Sequence, residues 1–145
     1  MRIETSADFI VEGGSRSDEL LGRLTLVPTK TWNAGDRRRM GARAVHTRAG
    51  WSLRSPLPKT ATVAEHLRAL LVALRPHRRA LKIVVDQFEG GFSVGVITHG
   101  AKGPDLYFDQ TLLRDIVDLG ADLDIDLYSL PDTHAGEGHV DRAVL

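Results

Sequence analysis

Residues 50–74 read GWSLRSPLPKTATVAEHLRALLVAL, a short Trp-bearing strand that runs into the strongest helix pattern in the chain. Val63, Leu67, Leu70, Leu71 and Leu74 recur at helical spacing, so one stripe of the helix is apolar, while Glu65, His66, Arg68 and Arg75 lie off it. Thr62 followed three residues later by Glu65 is a capping-box pattern, and Pro76 marks the far end. A stripe of this kind needs a sheet to cover. At roughly 1.5–3 kcal/mol for each fully buried side chain, the stripe supplies a large part of the gross stabilisation before ordering entropy is subtracted.

Towards the N-terminus, Ile3, Thr5, Ala7, Phe9 and Val11 alternate with polar neighbours, the period of a strand with one wet face. Gly13 and Gly14 turn the chain into a short helix with Leu20, Leu21 and Leu24 as core contacts. Residues 26–41 keep no period and read as a long connection, the kind of segment in which function concentrates. Residues 42–48 read as a strand, with Ala49 and Gly50 turning it into Trp51 and Leu53, which face one side. Towards the C-terminus, residues 81–88 and 92–98 read as a hairpin about Glu89, Gly90 and Gly91. Asp109 as N-cap, Leu112, Leu113, Ile116 and Val117, and Gly120 as terminal glycine mark a third helix. In the last strand Leu123, Ile125 and Leu127 face in, while Asp122, Asp124 and Asp126 face out. The order β-α, ββ, α, ββ, α, β predicts an α+β fold: a mixed, largely antiparallel sheet of about six strands with three helices on one face. Its second half is arranged like the split βαβ unit of ferredoxin-like folds, an analogy of architecture that carries no function.

The 145 residues suit a single domain, expected over residues 1–130, with residues 131–145 as a polar tail whose composition permits disorder. Absence of cysteine excludes disulfides, zinc-thiolate clusters and thiol chemistry. No apolar run is long enough for a membrane span and the first residues lack a signal-peptide core, so a cytoplasmic location is expected. The 19 basic and 19 acidic residues are unevenly placed: residues 1–82 hold 16 Lys/Arg against 7 Asp/Glu, and residues 83–145 hold 3 against 12. Charges of opposite sign are expected to pair within the fold before they find a partner.

Leu24, Leu26, Pro28 and Thr29, then Gly35 and Asp36, Gly50 to Leu53, and Leu119 to Tyr128 form a distinctive set. In this set the chain resembles the bacterial family of domain of unknown function 4279, over roughly residues 3–130. The resemblance implies an architecture and brings no activity, cofactor or catalytic residue with it.

The candidate site is the long connection: Thr29, Trp32, Gly35 and Asp36 with Arg37, Arg38 and Arg39. Guanidinium forks pair with phosphates and an aromatic can stack on a base, so this loop could hold a small anionic ligand or a nucleic-acid backbone, and it is also the surface expected to meet a protein partner. The plain alternative is a solvated loop in which Trp32 caps the core, the arginines pair with the acidic last strand and Asp36 orients neighbouring amides. A nucleic-acid role is not favoured, because such binders carry a basic excess. Asp122, Asp124 and Asp126 stand about 6.5–7 Å apart along a strand, too far to share one cation unaided, and read as an acidic stripe opposite Arg43 and Arg48. The six histidines form no ligand pair at helical spacing, so no metal and no cofactor are expected. Without a recognisable catalytic set, the leading expectation is a non-enzymatic interaction or binding module, immunity-like or regulatory, acting through residues 32–39. The rivals are an enzyme with a cleft around Asp36 and arginines, or a weak nucleic-acid or anion binder. Exposed strand edges leave homodimerisation open.

Overall fold

In the computed structural model, which describes residues 2–38, 44–100 and 102–131, strand β1 (Arg2–Glu12) is the middle strand of a five-stranded sheet. The alternation in its sequence is realised as expected, with Thr5, Ala7, Phe9 and Val11 buried on one face. Antiparallel to it lie β3 (Gly50–Arg54) and β4 (Glu89–His99), and β2 (Lys30–Trp32) extends the sheet beyond β3. Strand β5 (Asp122–Leu130) pairs with β4 in parallel, giving the order β2-β3-β1-β4-β5. The sheet is therefore mixed and largely antiparallel, with five strands among the described residues where about six were expected.

The helices cover a single face. Helix α2 (Val63–Leu74) buries Val63, Leu67, Leu70, Leu71 and Leu74 over β1, and its capping box closes as the sequence indicates, Thr62 accepting from the Glu65 amide and Glu65 from the Thr62 amide. Beneath it Phe9 packs between Trp51 and Phe92, with ring centroids 5.8 and 5.0 Å away. Helix α1 (Ser17–Leu21) places Leu20 in this core, where its carbonyl accepts the Trp51 indole N–H at 3.0 Å. In α4 (Gln110–Asp118) Leu112 and Ile116 are buried, but Leu113 and Val117 are exposed, because a helix this short on a sheet edge turns only a narrow stripe inward. Asp109 caps α4 through the Leu112 amide at 2.8 Å and reaches Arg68 of α2 at 2.9 Å. That amide, then Arg68, holds the Asp109 carboxyl below its ordinary range.

Four expectations are corrected. Residues 81–88 are not the first arm of a hairpin: Arg78–Gln87 form helix α3, reached from α2 through a 3-10 turn at Arg75–His77, and Glu89 already belongs to β4. The burial pattern is helical, since Leu81, Val84 and Val85 are buried while Ile83 is 61 % exposed. The described residues thus form four α-helices rather than three. The strand expected at residues 42–48 lies partly outside the described residues; from residue 44 on it makes only an isolated bridge between Val45 and Arg37, and β3 pairs with β1 and β2 instead. His66 does not lie off the apolar stripe but is 1 % exposed, its Nδ1 2.7 Å from the Ser55 hydroxyl. The ferredoxin-like analogy is not reproduced in topology: a split βαβ unit leaves another strand between its two parallel strands, and here β4 and β5 are direct neighbours. Of the expected tail only Pro131 lies within the described residues. No helix among the described residues is long and apolar enough to cross a membrane.

Candidate functional site: a loop at the margin of the uncovered sheet face

The second face of the sheet carries Ser52 and Arg54 on β3, Ser6, Asp8 and Ile10 on β1, Gly91, Ser93 and Gly95 on β4, and Asp122, Asp124 and Asp126 on β5, in register. Cross-strand pairs organise its polar surface. Arg54 meets its register partner Asp8 through two 3.2 Å contacts. Glu12 and Glu89 stand directly opposite each other, an arrangement that repels, and Arg48 bridges them at 3.4 and 3.0 Å. The Arg48 guanidinium is held charged more firmly than usual by Glu89 first and Glu12 second.

The candidate loop leaves β2 at one margin of this face. Trp32 is opposite Gly50 in the ladder and its indole lies across that glycine, so close that a Cβ at Gly50 would stand 2.3 Å from the ring. Only glycine admits this approach. His46 stacks on the outer side of the indole at 4.8 Å and 21°. The indole N–H is buried and meets no acceptor among the described residues. Trp32 therefore does not cap the main core, as the plain reading supposed, but sits half-buried on the opposite face.

The rest of the loop is held by its own backbone. The Asp36 carboxylate accepts the Asn33 amide at 2.8 Å, which is the amide-orienting role open to it from the sequence. Asn33 in turn accepts the Ser17 amide at 2.9 Å and so stands in for a capping side chain at the start of α1, where Arg16 provides none. The amides of Gly35 and His46 bond the carbonyls of His46 and Asp36 at 2.8 Å, closing a narrow two-stranded tongue. Its return limb ends at Arg48, whose two glutamates tie the tongue to the sheet.

Of the expected site residues, the fold brings Trp32, Asp36, Arg37 and Arg38 into this tongue. Arg37 and Arg38 are exposed and neither forms an ion pair among the described residues. Arg39 lies outside the described residues, as does Arg43. Thr29 belongs elsewhere: its hydroxyl accepts the Arg54 amide at 2.9 Å and its amide bonds the Ser52 carbonyl at 2.7 Å, so it extends the β2–β3 ladder. His46 and Asn33 join the site without having been singled out in the sequence, because both are recruited across tertiary contacts.

The acidic stripe differs from expectation in its surroundings. Arg48 is engaged with Glu12 and Glu89, and the residues opposite Asp122, Asp124 and Asp126 are Gly91, Ser93 and Gly95, which bring no charge. Gly91 and Ser93 floor a shallow trough of about 290 Å³ between Ile10 and the carboxylates of Asp122 and Asp124. Among the described residues no group of three or more acidic or histidine side chains is placed to hold a metal ion.

No curated protein and no solved structure matches the chain. A family model does, over residues 3–130, from the first core residue of β1 to the end of β5, and the chain belongs to that family, the domain of unknown function DUF4279.

Proposed function

We propose that this chain is a small cytoplasmic interaction module of bacterial origin, immunity-like or regulatory in kind, that binds a protein partner through the Trp32–Arg38 tongue and the sheet face beside it. The observation that carries the reading is the layering: helices cover one face of the sheet, and the other continues without interruption into a tongue built around the Trp32–His46 stack. Aromatic and arginine side chains are what protein interfaces concentrate, and this margin offers both. The same surface carries positive charge at one edge, Arg37 and Arg38, and negative charge at the other, Asp122 to Asp126. A protein can match both signs, whereas a nucleic-acid backbone would be repelled by the acidic edge. An enzymatic reading centred on Asp36 has less support, because that carboxylate is exposed and already accepts a loop amide.

The test is affinity capture on the full chain followed by reconstitution with the purified partner. A one-to-one complex is expected that survives Arg114→Gln, on the helix side, and is lost in Arg37→Glu/Arg38→Glu and in Asp124→Lys. Full affinity in the Arg37→Glu/Arg38→Glu variant would remove the tongue from the interface.

A further inference from the structure

On the helix side of the molecule, away from the sheet face, a second surface gathers charge of one sign. Pro76 at the start of the 3-10 turn redirects the chain between α2 and α3, and the segment around it reads Arg75-Pro76-His77-Arg78-Arg79. Arg75 stands in the 3-10 turn and Arg78 and Arg79 in the first turn of α3, and all three line one groove. Arg23, from the connection after α1, closes the same groove from the other wall, with Thr25 beside it. The groove measures about 500 Å³, within the range of small-molecule sites.

Its arginines are unpaired among the described residues, as Arg37, Arg38 and Arg114 are, and what sets them apart is that four of them line one groove. Arg2, Arg16, Arg48, Arg54 and Arg68 each have a carboxylate partner, whereas Arg23, Arg75, Arg78 and Arg79 form no ion pair among the described residues. Asp115 and Asp118 share a smaller crevice with Arg75 and Arg78 on the α4 side, but neither closes an ion pair with them. No acidic residue stands in the first turn of α3 either. Four guanidinium groups around one groove repel one another, a repulsion that water and salt screen and that anionic charge entering the groove offsets.

From this clustering we infer a binding site for a small molecule that carries two or more phosphate groups. Planar guanidinium forks match phosphate oxygens two at a time, and four of them exceed what a single phosphate can engage. Thr25 supplies a hydroxyl for a further oxygen. The site is independent of the tongue and the sheet face, so either proposal stands if the other fails.

The experiment titrates the full chain with tripolyphosphate at low salt, by calorimetry and by thermal melting, with orthophosphate and a single-stranded oligonucleotide as comparison ligands. Saturable one-to-one binding of tripolyphosphate is expected, tighter than that of orthophosphate and weakened by added salt. Arg75→Gln/Arg79→Gln should weaken it by roughly tenfold or more, as loss of charged hydrogen bonds does, with the melting temperature of the free protein unchanged. Arg37→Gln/Arg38→Gln should leave it untouched. Absence of binding, equal loss in both double variants, or a preference for the oligonucleotide over tripolyphosphate would each overturn the inference.

Discussion

Trp32 and Gly50 compete for one small volume, and the outcome decides how the tongue joins the sheet. A Cβ at Gly50 would meet the indole at 2.3 and 2.6 Å and the Val11 carbonyl oxygen at 2.8 Å. Gly50→Ala is therefore expected to expel the indole, costing about 1–3 kcal/mol of stability as overpacking does, with a red shift in Trp emission. Adding Trp32→Ala should recover only part of that loss, because the carbonyl oxygen stays in place. A Gly50→Ala protein that melts like the parent would mean the ring has free room. His66 makes a second prediction at this scale. Burial lowers its pKa below the ordinary value of about 6.5, outweighing the Thr5 carbonyl, the Glu65 charge and the Pro58 carbonyl, and its Nε2 is buried without a partner among the described residues. The unfolded chain takes up the proton first, so stability from this residue is complete above pH ~6.5 and falls as pH drops through the window below it, by at most about 1.4 kcal/mol per pH unit. Urea midpoints between pH 7.5 and 5 should fall more steeply for the parent than for His66→Gln; superimposable slopes would assign the acid sensitivity to another group.

Among the elements, α3 separates two periodicities that the sequence leaves in competition. If residues 81–88 were a strand, Leu81, Ile83 and Val85 would share the buried face; as a helix, Leu81, Val84 and Val85 do. Ile83→Glu is accordingly expected to change stability by no more than about 0.5 kcal/mol, and Val84→Glu to unfold the domain by burying an unpaired charge. The opposite ranking in a thermal melt would restore the strand. The Ile83-Val84-Val85 run misleads because β-branched residues beside two glycines imitate a hairpin arm, and ten residues give the helical period little room to declare itself. Strands β1, β4 and β5 and helix α2 were legible because each keeps its period over a longer span and, in α2, because the capping box fixes the start. Strand β2 was not, since three residues show no period, and its place depends on pairing with β3. The same limit applies to the site. The role of Asp36 could be read from local Asx chemistry, but the stack of His46 on Trp32 and the seat at Gly50 exist only once distant segments pair.

At the scale of the molecule, the strand order leaves β5 as an edge nine residues long that is unpaired on its outer side among the described residues, while the opposite edge, β2, has three. Long free edges recruit further strands, and Leu127, Tyr128 and Leu130 stand exposed on this one. A second copy adding antiparallel along the whole of β5 would continue the sheet with the same face outward, setting Asp126 opposite its own counterpart with Asp124 of each copy diagonal to it. Each like-charge pair about 5 Å apart in water opposes the contact by roughly 1 kcal/mol, and Gly91, Ser93 and Gly95 provide no neutralising side chain. The acidic row is thus expected to hold the edge open for a different partner rather than for a second copy. Asp122→Asn/Asp124→Asn/Asp126→Asn should shift sedimentation velocity profiles from monomer towards dimer at neutral pH and low salt, and the parent should move the same way once its carboxylates are protonated. If the substituted protein remains monomeric at every concentration reached, the charges are not what keeps this edge unpaired. If instead the parent already dimerises and the substitutions leave its association constant unchanged, the copies meet through some other surface.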